Sequence, residues 1–453
     1  MRDEEVGMSN VENITPLNAL DELQKHFCII DLEGQIRILD RVQVSNVKLG
    51  IGAGGIGFYK KPDGEMLMRR CLESLPVLGK PNDAIKDFWI NPSTHMYNQT
   101  AFTPETTPDT TVNFWCSYTA VASPANWQVI NQYLYHVICD GNASSYQYLI
   151  RFLAHMVQKP EEKPGIIVTL LGGQGTGKGV FFQLLRAIWS RTTLQVTDLK
   201  EVLGQFTAPL ERNYIVCMDE ALFKGDRRGL DRLKSLVTEP VIRIEQKFEP
   251  SRSIESVHRF FAASNHAQVA HIESDDRRFF FLRVSDIYQQ DTDYFKTVCG
   301  AIEDEDVIGG MVYDLESLSL KSFDVRKRPK TKEHAKQKLK SLQGFELYWY
   351  EILCTGEFVR EDYVEGIWTD SLFRSSDSLL LGYKSFDKQA GRFSPVQQSE
   401  ISKTIKKVCP SAKGCRTMIV NRQRRGFTLP SIEVARQEFE QYIELEIDWD
   451  DVQ

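Results

Sequence analysis

The sequence predicts an α/β fold built on a parallel sheet, and three observations point to it. Residues 166–171, Ile-Ile-Val-Thr-Leu-Leu, are apolar on both faces and rich in β-branched side chains, as a strand buried inside a parallel sheet must be. Gly172, Gly173, Gly175 and Gly177 follow and lead into Lys178 and a run with helical periodicity. Two more strand-like runs, 214–218 and 259–263, each end in polar residues.

The glycines permit positive φ and let backbone N–H groups close round an anion, while Lys178 adds a point charge at a helix N-terminus. Gly172, Gly173, Gln174, Gly175, Thr176, Gly177, Lys178 and Gly179 therefore read as a triphosphate cradle. Gly172, Gly177 and Lys178 meet the spacing G-x-x-x-x-G-K, but Gly179 replaces the hydroxyl that usually follows the lysine. Three readings of that glycine stay open: water takes the magnesium position, the Thr176 hydroxyl helps, or the site binds nucleotide without turning it over. An incidental glycine-rich turn is disfavoured, because strand, loop and helix come in the right order.

With 453 residues the chain has room for roughly two to four domains. A formal net charge of −7 excludes a surface that coats nucleic acid all over and confines DNA binding to a local basic face. Nine cysteines are scattered from Cys28 to Cys415 without a C-x-x-C pair, which fits reduced thiols in a cytoplasmic protein. Neither Cys409 with Cys415 nor His266 with His271 has the further ligands that a zinc site needs. The acidic start MRDEEVGMSN lacks an apolar signal core and no apolar run nears ~18 residues, so a soluble intracellular chain without membrane contact is expected.

Over 1–113 a small α+β module is expected, with an amphipathic helix at 19–26, strands at 28–31 and 35–39, and a Glu33-Gly34 turn. Residues 52–57 match the dinucleotide fingerprint G-x-G-x-x-G. Pro62 and Asp63-Gly64 in the following FYKKPDGE argue against a helix, so a loop is expected there. TPETTPDTTVN, residues 103–113, reads as an extended connector that marks a boundary. A helical module follows over 114–163, with helices at 128–139 and 144–158 stopped by Pro160 and Pro164.

The core, 164–320, opens with the buried strand and cradle and continues into a crossover helix at 180–190. Strand 214–218 ends in Asp219 and Glu220. Beside a triphosphate the first carboxylate orders magnesium and its waters, and the second polarises the attacking water. A helix N-cap would account for Asp219 alone. After a helix at 229–238, runs 241–247 and 257–264 read as a long hairpin with a charged and aromatic tip. Lys247, Phe248 and Arg252 there are candidates for contacts with single-stranded DNA in a pore, with a solvated turn as the equal alternative. Asn265 is placed to hold the attacking water or to sense the γ-phosphate. Arg277 and Arg278 are either surface ion-pair partners or an arginine finger reaching a neighbouring subunit's nucleotide.

Together these segments resemble a superfamily 3 helicase of the poxvirus, phage and plasmid primase-helicase type, whose core is an AAA+ module. GGQGTGKG resembles that family's Walker A, VCMDE its Walker B, LVTEPVIRIEQK with the next turn its B-prime region, AASN its motif C, and DDRRFF its arginine finger. FWINPSTHMYNQTAFTP and YLIRFLAHMVQKPEEKPG are similar to the segment before this core in phage primase-polymerase proteins, and the likeness fades before about residue 85. The resemblance implies a homo-oligomeric ring, a hexamer, that hydrolyses ATP with Mg2+ at subunit interfaces. It implies 3′ to 5′ movement on single-stranded and forked DNA, beside a separate primase or polymerase. In such a ring Lys178 holds the β- and γ-phosphates, Asp219 is the metal ligand, Glu220 activates water, Asn265 positions it, and Arg278 or Arg277 acts in trans. Gly179 departs from the broader superfamily's Ser or Thr, although some phage members share the glycine. No primase-polymerase half is legible, so primer synthesis is not assigned.

Residues 321–343 are densely basic around Pro329 and read as a linker or a solvated helix. Over 344–453 a winged-helix-like DNA-binding domain is expected. Its elements are an aromatic packing helix at 344–353, a helix opened by Ser394-Pro395 with Gln397 in capping-box position, strand 418–420, basic turn 421–426 and a closing helix at 431–442. Lys403, Lys406 and Lys407 point outward on the helix that would enter a groove, and Arg422, Arg424 and Arg425 stand on the wing. The acidic end EIDWDDVQ reads as a frayed tail or a partner-binding peptide. The expected function is an ATP-dependent DNA helicase for replication of a phage, plasmid or integrated mobile element. The alternative is an origin-binding AAA+ protein that uses ATP as an assembly switch without processive unwinding. A small-molecule P-loop kinase is disfavoured, since no acceptor-substrate motif is legible.

Overall fold

The strand Ile167–Leu171 is buried at every residue because other strands and helices cover it. A computed structural model describes residues 17–49, 57–204, 207–219, 227–247, 249–265, 276–360, 363–391, 397–419 and 422–449. They divide into two compact units, one of residues up to 219 with 228–265 and 283–327, the other of 227, 276–282 and 328–449.

In the first unit Arg259–Ser264 pairs parallel with Ile167–Leu171, Ile215–Asp219 pairs parallel with Arg259–Ser264, and Thr193–Val196 pairs parallel with Ile215–Asp219. Helix Lys178–Ile188 lies in the chain between Ile167–Leu171 and Thr193–Val196 and buries Phe181, Phe182, Leu184, Leu185 and Ile188. The sheet is therefore parallel, and the fold mixed α/β. The long hairpin expected over 241–264 is corrected: Val241–Ile244 pairs with Arg252–Glu255, and Arg259–Ser264 leaves for the parallel sheet. Burial explains the split. The ribbon strands alternate buried and exposed residues, as a sheet with one covered face does, whereas Arg259–Ser264 is buried throughout.

The N-terminal part of this unit is a four-stranded sheet of Phe58–Tyr59, Gln35–Asp40, Phe27–Leu32 and Met96–Tyr97, in that order. Helices Ala19–His26, Lys61–Glu73 and Pro81–Ile90 share a core with it through Leu23, Ile38, Met68, Leu72 and Phe88. Helix Lys61–Glu73 corrects the loop expected from FYKKPDGE. Pro62 lies in the first turn, where its missing N–H has no helical partner in any case. Gly64 is required by packing, since a Cβ there would stand 2.3 Å from Ile38 Cδ1. Most of the G-x-G-x-x-G match, residues 52–56, lies outside the described residues.

The connector at 103–113 is not a boundary between compact units. It bridges two parallel strands, Gln99–Ala101 and Thr111–Asn113, and the Asn113 side chain fastens it by accepting from Thr103 N and donating to Thr103 O. The helix expected at 128–139 is an α-turn, Gln128–Gln132, followed by a π-helical turn, Tyr133–Ile138.

In the second unit Trp349, Trp368, Tyr383, Ile401, Ile405, Phe427 and Phe439 form one core. A three-stranded antiparallel sheet runs in the order Leu372–Ser375, Arg422–Leu429, Lys413–Ile419, accompanied by helices Ser376–Gln389, Gln398–Val408 and Ile432–Ile443. The second of these helices starts later than expected: Gln397 is its N-cap and forms the capping box with Glu400. Part of the basic linker is the helix Lys332–Lys340. The acidic segment 446–449 is anchored to the helix before it. Trp449 Nε1 donates to Glu440 Oε1 at 2.9 Å, and Ile447 N donates to the same oxygen at 3.1 Å. Among the described residues no helix is long and apolar enough to cross a membrane.

Candidate nucleotide site

The loop after Ile167–Leu171 turns through Gly175 at φ +76° and Gly177 at φ +95°, conformations that L side chains rarely adopt. Lys178 Nζ folds back and donates to Gly172 O at 2.8 Å and Gly173 O at 2.6 Å, and the Thr176 hydroxyl donates to Gly173 O at 2.9 Å. The ammonium is thus held at the mouth of the cradle by neutral carbonyls. Phosphate oxygens offered there would make stronger, charge-assisted bonds. From outside, Tyr133 Oη donates to Gly177 O at 2.9 Å, Gln290 N to Gly175 O at 3.0 Å, and Gln289 Nε2 to Gln174 O at 2.8 Å. Phe295 closes the packing, since a Cβ at Gly177 would stand 2.4 Å from its ring. A Cβ at Gly179 would meet nothing within 4 Å, so packing does not demand that glycine.

Strand register brings the other candidates to the same edge. Leu171 stands opposite Ser264, and Ala263 opposite Asp219, so Asn265 and Asp219 lie at the ends of the two strands next along from the cradle. At ~4.8 Å per strand, Asp219 is about 10 Å across the sheet from the strand that feeds the loop. Asn265 is half-buried. Asp219 Oδ2 accepts from Gln195 Nε2 at 3.3 Å, across from the neighbouring strand Thr193–Val196. Glu220 lies outside the described residues.

Among the described residues Asp219 offers a carboxylate at these strand ends, and Mg2+ takes one or two carboxylates together with phosphate oxygens and water. No cluster of three or more His, Cys, Asp or Glu side chains forms an all-protein metal cage among the described residues. Gln195, Tyr133, Gln289, Gln290 and Phe295 were missed from sequence. They belong to no motif spacing and reach the site only through folding.

The remaining candidates are spread more widely. Arg252 is corrected as a DNA contact: it is 5% exposed, and its Nε and Nη2 each donate to a carboxylate oxygen of Glu211 at 2.5 Å. Lys247 is exposed, and Phe248 lies outside the described residues. Arg277 is exposed, while Arg278 is half-buried with Nη1 3.6 Å from Asp276 Oδ1. Arg328 fixes this loop by donating to Asp276 O and Arg277 O, both at 3.2 Å. Lys403, Lys406, Arg422 and Arg425 are exposed. Lys407 is held by Glu346 at 3.0 Å and lies over the Tyr442 ring, and Arg424 is 3.2 Å from Asp377 Oδ2.

A family model described only as a family of unknown function, DUF5906, matches residues 170–278, from Leu170 to Arg278. Over 155 residues, 33% of this chain, the sequence is 28% identical to the DNA primase-polymerase of Nitratiruptor phage NrS-1. That stretch is 21% of the phage protein's own length. The likeness in fold is far wider. The apo structure of the NrS-1 C-terminal region (305–718) matches with a TM-score of 0.62 at 14% identity, over 90% of this chain and 97% of that one. An A-form apo structure of the same region matches at 0.60 and 15% identity, over the same shares. The chain has the fold of that C-terminal region.

Proposed function

We propose that the chain is an ATP-dependent DNA helicase of a phage-type replication system, an AAA+ motor that works in the cytoplasm as a ring of identical copies. The observation that carries this reading is the row of strand ends, which sets Asp219 and Asn265 beside a loop whose lysine is already turned inward. Similarity to a protein named as a phage DNA primase-polymerase supports a role in DNA replication.

In this mechanism the loop N–H groups and Lys178 bind and orient the β- and γ-phosphates. Asp219 would hold Mg2+, which supplies charge neutralisation on the phosphate oxygens when bound. Gln195 fixes the Asp219 carboxylate from the side. Asn265 orients the attacking water, and Glu220, next in sequence after Asp219, takes its proton. Arg278 or Arg277 from the adjoining copy stabilises the charge that develops in the transition state. Lys247, Lys403, Lys406, Arg422 and Arg425, all exposed, supply contacts for the phosphates of single-stranded or forked DNA.

Lys178→Ala is expected to lower ATP turnover at least about a hundredfold, as removal of a transition-state charge contact does. Wild-type turnover is expected to rise when single-stranded DNA is added. The competing reading, an origin-binding protein with ATP as an assembly switch, is kept by Gly179, where no packing forbids the missing hydroxyl. A wild-type protein that binds ATP and hydrolyses it at the same negligible rate with and without DNA would replace the motor with the switch.

A further inference from the structure

The segment that braces the cradle from outside carries an aromatic pair that the phosphate chemistry does not use. Tyr288 and Tyr294 are half-buried, with ring centroids 3.8 Å apart and planes within 6° of parallel. Two local bonds bring them together: Asp291 N donates to Tyr288 O at 3.0 Å, and the Asp291 side chain caps Thr292–Glu303 by accepting from Tyr294 N. Between them Gln290 sits at φ +63°, a left-handed conformation that costs a non-glycine residue free energy and is found at functional sites. A glycine there would remove the strain, yet the chain keeps an exposed glutamine between the two tyrosines in sequence, its Cγ 3.0 Å from where a Cβ at Gly175 would stand. Ile287, 66% exposed, extends the apolar surface next to Tyr288. The whole segment is continuous with the cradle through Gln290 N to Gly175 O and Gln289 Nε2 to Gln174 O.

We propose that Tyr288 and Tyr294 form the subsite for the nucleotide's base, an adenine, with the Gln290 amide reading its edge. This rests on the reading of residues 172–179 as a triphosphate cradle. A base stacks on an aromatic face whatever its identity, and a glutamine amide pairs with the adjoining donor and acceptor of adenine. The stack supplies affinity, and the amide supplies preference for ATP.

The test is equilibrium binding of ATP, CTP and inorganic tripolyphosphate to the full chain. Tyr288→Ala and Tyr294→Ala are each expected to weaken ATP about tenfold, with tripolyphosphate unchanged within about twofold. Tyr294→Phe keeps the ring and binds ATP like wild type. Gln290→Gly, which relieves the strained φ and leaves folding intact, narrows the preference for ATP over CTP. If the alanine variants lose ATP and tripolyphosphate together, the tyrosines only brace the loop and the subsite is refuted. If they lose neither, it is refuted also. Lys178→Ala separates the two claims, because it weakens both ligands if the cradle is real. A wild-type chain that binds neither ligand overturns the cradle and the base subsite with it.

Discussion

Glu211 and Arg252 show what a single residue pair can do to an expectation drawn from charge. The two side chains are 2% and 5% exposed, the Arg252 guanidinium lies 5.1 Å from the centre of the Phe58 ring, and Thr100 Oγ1 donates to Glu211 Oε1 at 3.3 Å. A buried bidentate pair of this kind adds little net stability relative to an apolar pair, but losing one partner strands the other charge away from water. Glu211→Ala is therefore expected to destabilise folding by about 3–5 kcal/mol. Urea unfolding measures this, and a loss below about 1 kcal/mol would mean that the pair behaves as a solvated surface contact. Arg252 looked like a tip cation because it falls in the run Phe248-Glu249-Pro250-Ser251-Arg252-Ser253, which reads as a turn between two strands. Its partner stands 41 residues upstream, and no local pattern announces a pairing at that distance. The glycine-rich loop was legible for the opposite reason: the strand, the positive-φ glycines and the helix that form it follow one another directly in the chain.

At the scale of elements, His258 joins the ribbon strand Arg252–Glu255 to the parallel strand Arg259–Ser264, at the point where the expected hairpin breaks. It is 1% exposed, with Nε2 2.8 Å from Leu210 O and Nδ1 3.0 Å from Ser256 Oγ. The carbonyl can only accept, so Nε2 carries the hydrogen and Nδ1 accepts from Ser256. Burial pushes this imidazole down to about 4, opposed by the Leu210 bond and assisted by the charges of Lys163 and Arg259. His155 is held at about 4 as well, by burial and Arg259 against the pull of Glu162. The unfolded chain takes up these protons near pH ~6.5 and the folded chain only near their lowered values. Stability is then full above about pH 6.5 and falls as pH drops towards 4, by up to about 3 kcal/mol from His258 alone. His258→Gln is expected to flatten the fall in urea midpoint between about pH 6.5 and 4.5, and an unchanged slope would place His258 outside the effect. The break itself was hidden because both runs are rich in β-branched and aromatic residues. What separates them is burial of one face or two, which depends on neighbours rather than on the run. Pro62 misled in a related way: proline marks a helix start as readily as a loop, and Gly64 answers to Ile38 across the sheet.

At the scale of the whole molecule, the basic stretch at 321–343 spans residues 327 and 328, one of the places where the chain passes from one compact unit to the other. Its charge does local work as well: Arg328 and His334 engage the Asp276 carbonyl and so set the backbone that carries Arg277 and Arg278. Whether those arginines serve their own copy or a neighbour can be decided by mixing variants. Under the proposed function Lys178→Ala lacks the lysine for the phosphates and Arg278→Ala lacks the arginine finger, and each alone is expected to hydrolyse ATP poorly. In a head-to-tail ring assembled at random from equal amounts, about a quarter of the interfaces join an intact cradle to an intact arginine, so about a quarter of wild-type turnover returns. The recovery must fade on dilution, because the site exists only while copies are associated. If Arg278 instead acts within its own chain, no mixture contains a complete site and turnover stays at the level of the separate variants. Recovery on mixing would therefore assign the arginine to the neighbour without an image of the ring.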